Sequence, residues 1–196
     1  GRGLSLDVTR ADEVPELWGP VADDLADGCI VGWSQGRAET GPHPLGRRSI
    51  LVDPSNITSA TRPRERVTGE PALAPPTLLI REEDADVLFE EAPPTTARWL
   101  PAIATARPAH RKGLAAMQDP NHQARVVLCS ARDNPELHGL LGAFGEKTGT
   151  PALLNAGLHE PDQPLAASPA DALLIFMRTE MDTVVTNQTL ARKVWS

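Results

Sequence analysis

The sequence predicts an α/β domain built on a twisted mixed sheet with flanking helices. Three observations carry that expectation. Short runs rich in β-branched and apolar residues fall at 30–33, 49–52 and 124–130, each bounded by turn residues. Amphipathic helices with cap signals follow or precede them, and strands and helices mix in order without an internal repeat. The chain has 196 residues, 40% hydrophobic and 23% charged, which suits one globular domain spanning 1–196 with a proper core.

Taken in order, Leu17, Val21 and Leu25 lie four apart, with Trp18 and Ala22 beside them, so 14–26 reads as a helix ended by Gly28. Pro15 suits its first turn, and Pro20 is expected to bend or break it. Strands are expected at 30–33 and 49–52, a short helix near 57–60, and a strand at 77–80. An acidic helix at 82–90, a Pro93-Pro94 break and a strand at 99–105 should follow. Segment 124–130 is a strand. Asn134 and Pro135 then open a helix in which Leu137, Leu140, Leu141 and Phe144 share a face before Gly149 stops it. A strand at 151–155, a helix capped by Ser168 and a strand at 181–186 complete five or six strands and at least four helices.

A net charge of −7 argues against a nucleic-acid surface, because duplex binding depends on a basic face. No run approaches the ~20 apolar residues of a membrane span, and no signal-peptide pattern opens the chain, so a cytoplasmic protein without a membrane partner is expected. Gly1-Arg2-Gly3, without Met, reads as a cut end or an added remnant. Cys29 and Cys129 show no metal or redox spacing and are expected to be buried, reduced thiols. No HxH, HExxH or CxxC pattern supports protein metal ligands, and no Gly-x-Ser-x-Gly elbow supports a hydrolase.

The chemistry concentrates at 30–54, IVGWSQGRAETGPHPLGRRSILVDP. Between its two strand-like ends lie Arg37, Arg47, Arg48, Glu39 and His43, in a turn whose Gly and Pro residues forbid regular structure. Guanidinium groups and free amides at strand ends suit oxyanions. Arg37, Arg48 and Arg125 each stand at the edge of an expected strand. There a guanidinium serves either a structural pair with an acid such as Glu39 or Asp53, or a phosphate.

This stretch resembles the signature GW-x-QGR-x-E-x-GPRALG-x-RSIL-x-DP of the C-terminal, YrdC-like domain of the nodulation-factor and antibiotic-biosynthesis O-carbamoyltransferases. The string 124–157, ARVVLCSARDNPELHGLLGAFGEKTGTPALLNAG, is similar to that family's second signature. The resemblance implies a YrdC-like fold that binds ATP, with Mg²⁺, and carbamoyl phosphate. It further implies that carbamoyl-adenylate is formed here, and that an actin-like-fold domain or subunit transfers the carbamoyl group to an acceptor hydroxyl in natural-product biosynthesis. On the matching positions it assigns Arg37, Arg48, Arg125 and Asn155 to substrate binding. Arg125 is then expected to enter a cleft shared with Arg37 or Arg48 and with Asn155.

Departures from the family pattern are as specific. His43 stands where the family has Arg, and Gly157 and His159 stand where Ser and Asn contact the nucleotide. Arg64 and Arg66 lie where a lysine-containing basic stretch is usual. These four basic residues, His43, His159, Arg64 and Arg66, are secondary candidates. The departures leave a second reading open, a non-catalytic or repurposed YrdC-like domain that docks a partner or binds an altered ligand.

Overall fold

The structure is a computed structural model that describes residues 4–10, 17–40, 44–56, 58, 61, 63–69, 77–116 and 119–195. Its strands are β1 (Leu4–Arg10), β2 (Val31–Ser34), β3 (Arg48–Val52), β4 (Thr77–Arg81), β5 (Ala102–Thr105), β6 (Gln123–Cys129), β7 (Ala152–Gly157), β8 (Thr183–Thr186) and β9 (Thr189–Trp195). They form one sheet in the order β1-β9-β8-β2-β3-β7-β4-β6-β5. The β2–β8 and β4–β6 pairs are parallel and the others antiparallel. The expected mixed sheet is therefore present, and the strands read at 30, 49, 124, 152 and 183 all belong to it.

Strand alternation sends successive side chains to opposite faces, which gives the sheet two cores. Ile50, Val52, Leu78, Ile80, Val126 and Leu154 pack on one face with Phe176 and Ile175 of α4 (Pro169–Arg178). Trp33, Leu51, Leu79, Val127 and Leu153 pack on the other, under α1 (Trp18–Ala26) and α3 (Pro135–Thr148). The α1–α3 contact is close. A Cβ on Gly139 would stand 1.6 Å from the Trp18 ring, so only glycine admits that approach.

The helix caps follow the sequence. Asn134 accepts from the Leu137 amide, Pro135 sits in the first turn, and Gly149 closes α3 in the left-handed region at φ 75°. Ser168 and Asp171 form a reciprocal capping box on α4.

Several boundaries differ from expectation. Pro20 is the third residue of α1, where its missing amide has no intrahelical partner to lose, so it neither bends nor breaks the helix. The expected start of that helix at residue 14 and most of the expected helix at 57–60 lie outside the described residues. The acidic segment is not one helix. A 3₁₀ turn, Glu82–Asp84, leads into a single turn α2 (Ala85–Leu88), and Phe89 leaves it extended to bridge Ala106. Three consecutive acids in one turn repel, and burial of Leu88 and Phe89 decides the local geometry instead. The expected strand at 99–105 begins only at Ala102, after a 3₁₀ turn Thr95–Arg98 and Pro101, which has no amide to donate. Strands β1 and β9 were not expected. Asn187, at φ 50°, turns β8 into β9, and β9 recruits β1 from the far end of the chain.

Candidate functional site

The loop joining β2 to β3 is folded back on itself by one carboxylate. Glu39 accepts hydrogen bonds from the amides of Leu45 at 3.1 Å, Arg47 at 2.9 Å and Arg48 at 3.3 Å. Burial raises its pKa above the ordinary glutamate value, and the three amides and Arg47 offset only part of that shift. A raised folded-state pKa means the folded chain holds this proton more tightly than the unfolded chain. The associated stability is full below the ordinary glutamate value and is lost as pH rises through the raised one. A ¹³C-detected titration should place the Glu39 carboxyl midpoint above that of an unstructured glutamate, and Glu39→Gln should remove this loss of stability with rising pH. A midpoint at or below the unstructured value would refute this.

Arg48 anchors the same loop from the opposite face of the sheet. It is 2% exposed. Its Nε donates to the Ala166 carbonyl at 3.0 Å, Nη1 to those of Gln35 at 2.9 Å and Arg47 at 2.7 Å, and Nη2 to that of Gly36 at 3.0 Å. Burial lowers its pKa, while Glu39 counteracts. Arg48, which the resemblance assigns to substrate binding, lies buried within the protein. Four of its five N–H groups are spent on backbone carbonyls, so it is a buried pin that positions the loop.

Asn155, Thr77 and Arg125 occupy one register row across β7, β4 and β6, on the face covered by α3. The Asn155 Nδ2 donates to the Pro44 carbonyl at 2.7 Å and to Thr77 Oγ1 at 3.2 Å, tying the loop to the sheet. Its Oδ1 is buried without a hydrogen-bond partner among the described residues, as are Ser49 Oγ and Trp33 Nε1. Trp33 and Ser49 are paired residues of β2 and β3 on that same face, so three unspent polar atoms gather beneath the loop.

Asn134 holds the loop from the helix side, its Nδ2 donating to the Gly46 carbonyl at 3.1 Å. Gly46 has φ 92°, and a Cβ there would lie 2.2 Å from Leu137 Cδ2. Between this loop, the Thr95–Arg98 turn and the β6–α3 turn lies a cleft of about 620 Å³, lined by Arg37, Arg47, Arg98, Arg132, Ser130 and Asp133 among others. Cys129 forms part of its wall. Burial first, then the Glu83, Asp133 and Glu82 carboxylates, push its thiol up to about 12, so it stays protonated.

The sequence-predicted residues therefore separate. Arg37 lines this cleft, whereas Arg125, Arg48 and Asn155 are not among its lining residues. Arg66 lies on the surface in a 2.6 Å ion pair with Glu180. His43 and the side chain of Arg64 lie outside the described residues. The His159 ring lies against Gly157, its Cδ2 at 2.7 Å from where a Cβ would stand, and its Nδ1 is 2.9 Å from the Glu160 carbonyl. Gly157 and His159 thus fit as a pair, and a serine at 157 would require His159 to move.

Sequence reasoning missed Arg98 and Arg132 as site members and treated Arg47 only as a companion of its neighbours. The signal for Arg132 was its place just before Asp133-Asn134-Pro135, at the end of a parallel strand, where α/β ligand sites form. Arg98 had none. Among the described residues no group of three or more His, Cys, Asp or Glu gathers as a metal site, and no helix is long and apolar enough to cross a membrane.

A family model for the carbamoyltransferase C-terminus matches residues 22–193. The nodulation protein NolO of Bradyrhizobium diazoefficiens is 34% identical over 191 residues, covering 96% of this chain and 34% of that protein. The 3'-hydroxymethylcephem-O-carbamoyltransferase of Streptomyces clavuligerus is 31% identical over 154 residues, covering 78% of this chain and 28% of that enzyme. The chain thus spans 34% or less of the length of these two relatives. Among solved structures, P. abyssi Sua5 complexed with L-threonine superposes with a TM-score of 0.58 at 13% identity, over 87% of this chain and 46% of that one. T. kodakarensis HypF gives 0.56 at 14% identity, over 97% and 23%. These likenesses show the fold, the YrdC-like sheet shared with Sua5 and HypF, and the sequence match over most of the chain shows that it belongs to the carbamoyltransferase family, as that family's C-terminal domain.

Proposed function

We propose that this domain binds ATP, as its Mg²⁺ complex, and carbamoyl phosphate, and forms carbamoyl-adenylate. The carbamoyl group is then passed to an acceptor hydroxyl by an actin-like-fold domain or subunit. In balanced form, hydrolysis of carbamoyl phosphate releases phosphate and leaves carbamate. A carbamate oxygen then bonds to the α-phosphorus of ATP, and the bond from that phosphorus to pyrophosphate breaks. The magnesium ion would travel with the triphosphate and neutralise charge on it.

One observation carries the reading. The family's signature loop is held rigid by Glu39, the Arg48 pin and Asn155, beside a cleft lined by four arginines at the carboxyl end of β6. Fixed positive charge of this kind stabilises developing phosphate charge without reorganisation. Arg125, in the Thr77–Asn155 row, is assigned to carbamoyl phosphate on the strength of the family match. Titration calorimetry with each ligand tests the whole. Binding of both is expected, and Arg125→Ala should weaken carbamoyl phosphate by about 2 kcal/mol while changing stability much less. If Arg125→Ala leaves binding intact and lowers the unfolding midpoint, Arg125 is structural and its assignment fails.

The Gly157–His159 pair favours a second reading. An imidazole in contact with Gly157 presents a different surface from the Ser and Asn of the family pattern, which suits a domain repurposed for an altered ligand. Carbamoyl phosphate binding without ATP binding would decide for that reading.

A further inference from the structure

The sheet ends in β1 on one side and β5 on the other, and the two edges are finished differently. Beside β5 the 88–90 segment continues the ladder. The Glu90 amide donates to the Thr105 carbonyl and the Arg107 amide to that of Leu88, both at 2.9 Å, and Phe89 bridges Ala106 between them. No segment covers β1 in this way among the described residues. All seven of its residues pair one to one with β9, so no bulge bends it away, and LSLDVTR contains neither proline nor lysine. A long, regular edge strand without these guards is a template for another strand.

The side chains of β1 select that strand. Leu4, Leu6 and Val8 lie opposite Trp195, Lys193 and Ala191, on the face of the sheet that carries α4, yet they are 40%, 42% and 49% exposed. The helix packs over β8 and β2, two or more strands inward. Ser5, Asp7 and Thr9 point to the other face, where Asp7 lies 4.0 Å from Arg192.

A two-fold axis perpendicular to the sheet keeps like-numbered residues on one face, so in an antiparallel pair of β1 strands it must pass between two copies of one residue. Centred on Asp7, the pairing opposes two aspartates and sets Leu4 against Arg10. Centred on Leu6, it sets Leu4 opposite Val8, Leu6 opposite its copy and Ser5 opposite Asp7. This register opposes no like charges among residues 4–8 and keeps every apolar residue on one face.

We propose that β1 docks a second copy of this chain, antiparallel and centred on Leu6. The sheet then continues across the two-fold axis, and Leu4, Leu6 and Val8 of both copies join in one apolar strip between the two α4 helices. This contact needs neither ATP nor carbamoyl phosphate.

Sedimentation velocity of the full chain over a concentration series tests it, and a reversible monomer–dimer equilibrium is expected. Leu6→Glu opposes two carboxylates on the axis and should weaken dimerisation at least about 30-fold. Val87→Glu, at an exposed position on α2 beside the β5 end of the sheet, should leave it unchanged. Both side chains are exposed in the single chain, so neither variant should lower the thermal midpoint. Under mild oxidation Leu6→Cys should give a disulfide-linked dimer that the wild-type chain, with its own two cysteines, does not form. Opposed Cα atoms of antiparallel strands stand about 4.5–5.5 Å apart, within disulfide reach. Asp7→Cys would stand about 8 Å from its copy and should not link. A chain that stays monomeric at its highest soluble concentration, a dimer that survives Leu6→Glu, or linkage through Asp7→Cys in place of Leu6→Cys would overturn the proposal.

Discussion

Arg48→Met is expected to destabilise the folded chain by about 3–5 kcal/mol, the scale for removing one partner from a buried, hydrogen-bonded charge. Methionine fills much of the volume and keeps the apolar stem, so the loss isolates the guanidinium. Four carbonyls, those of Gln35, Gly36, Arg47 and Ala166, lose their donor together. The segments they belong to come from the β2–β3 loop and from residue 166, which also reaches Leu158 through its amide. Releasing them should lower the thermal midpoint by about 10 °C for a chain of this length. Arg48→Lys should recover little, because one ammonium cannot reproduce a planar fork that points at carbonyls in several directions. Urea unfolding measures all three proteins. A cost below about 1 kcal/mol for the methionine variant would return Arg48 to the ligand-binding group, since a side chain held free for a phosphate contributes little to the unliganded fold.

Gly46→Ala should be the most damaging small change in the loop, at about 2–4 kcal/mol. Two effects add. The backbone at φ 92° lies outside the comfortable range of an L-residue, which costs about 1–3 kcal/mol, and the new methyl would stand 2.2 Å from Leu137 Cδ2. Leu137 is fully buried on the first turn of α3 and cannot swing into solvent. The loop must therefore rise from the helix, carrying Arg47 away from the cleft and weakening the Asn134–Gly46 hydrogen bond. Anion affinity should fall along with stability. Shortening Leu137 to alanine should relieve the clash and leave the backbone strain, so the two substitutions should be non-additive. Purely additive costs would show that Leu137 is not what Gly46 accommodates.

Much of this was written locally. The β2 and β3 runs, the Asn134-Pro135 and Ser168-Pro169 helix starts and the Gly149 stop depend on side chains within a few residues of one another, so the sequence displays them directly. The density of Arg, Gly and Pro at 35–48 likewise marked where chemistry would gather. What tertiary structure alone decided was the division of labour among similar residues. Arg47 and Arg48 are neighbours of one type, yet alternation along β3 sends Arg48 to a buried cage closed by Ala166 and leaves Arg47 on the cleft, and no local signal says which face closes. Arg98 and Trp99 join the site only because Pro101 delays β5 and the preceding turn packs back toward β6. Strand β1 exists through pairing with β9 across almost the whole chain, Leu4 opposite Trp195, a contact no short window contains. Backbone hydrogen bonds between distant segments and the burial of one side of a strand are properties of the assembled sheet, and they fixed which arginines became scaffold and which face the cleft.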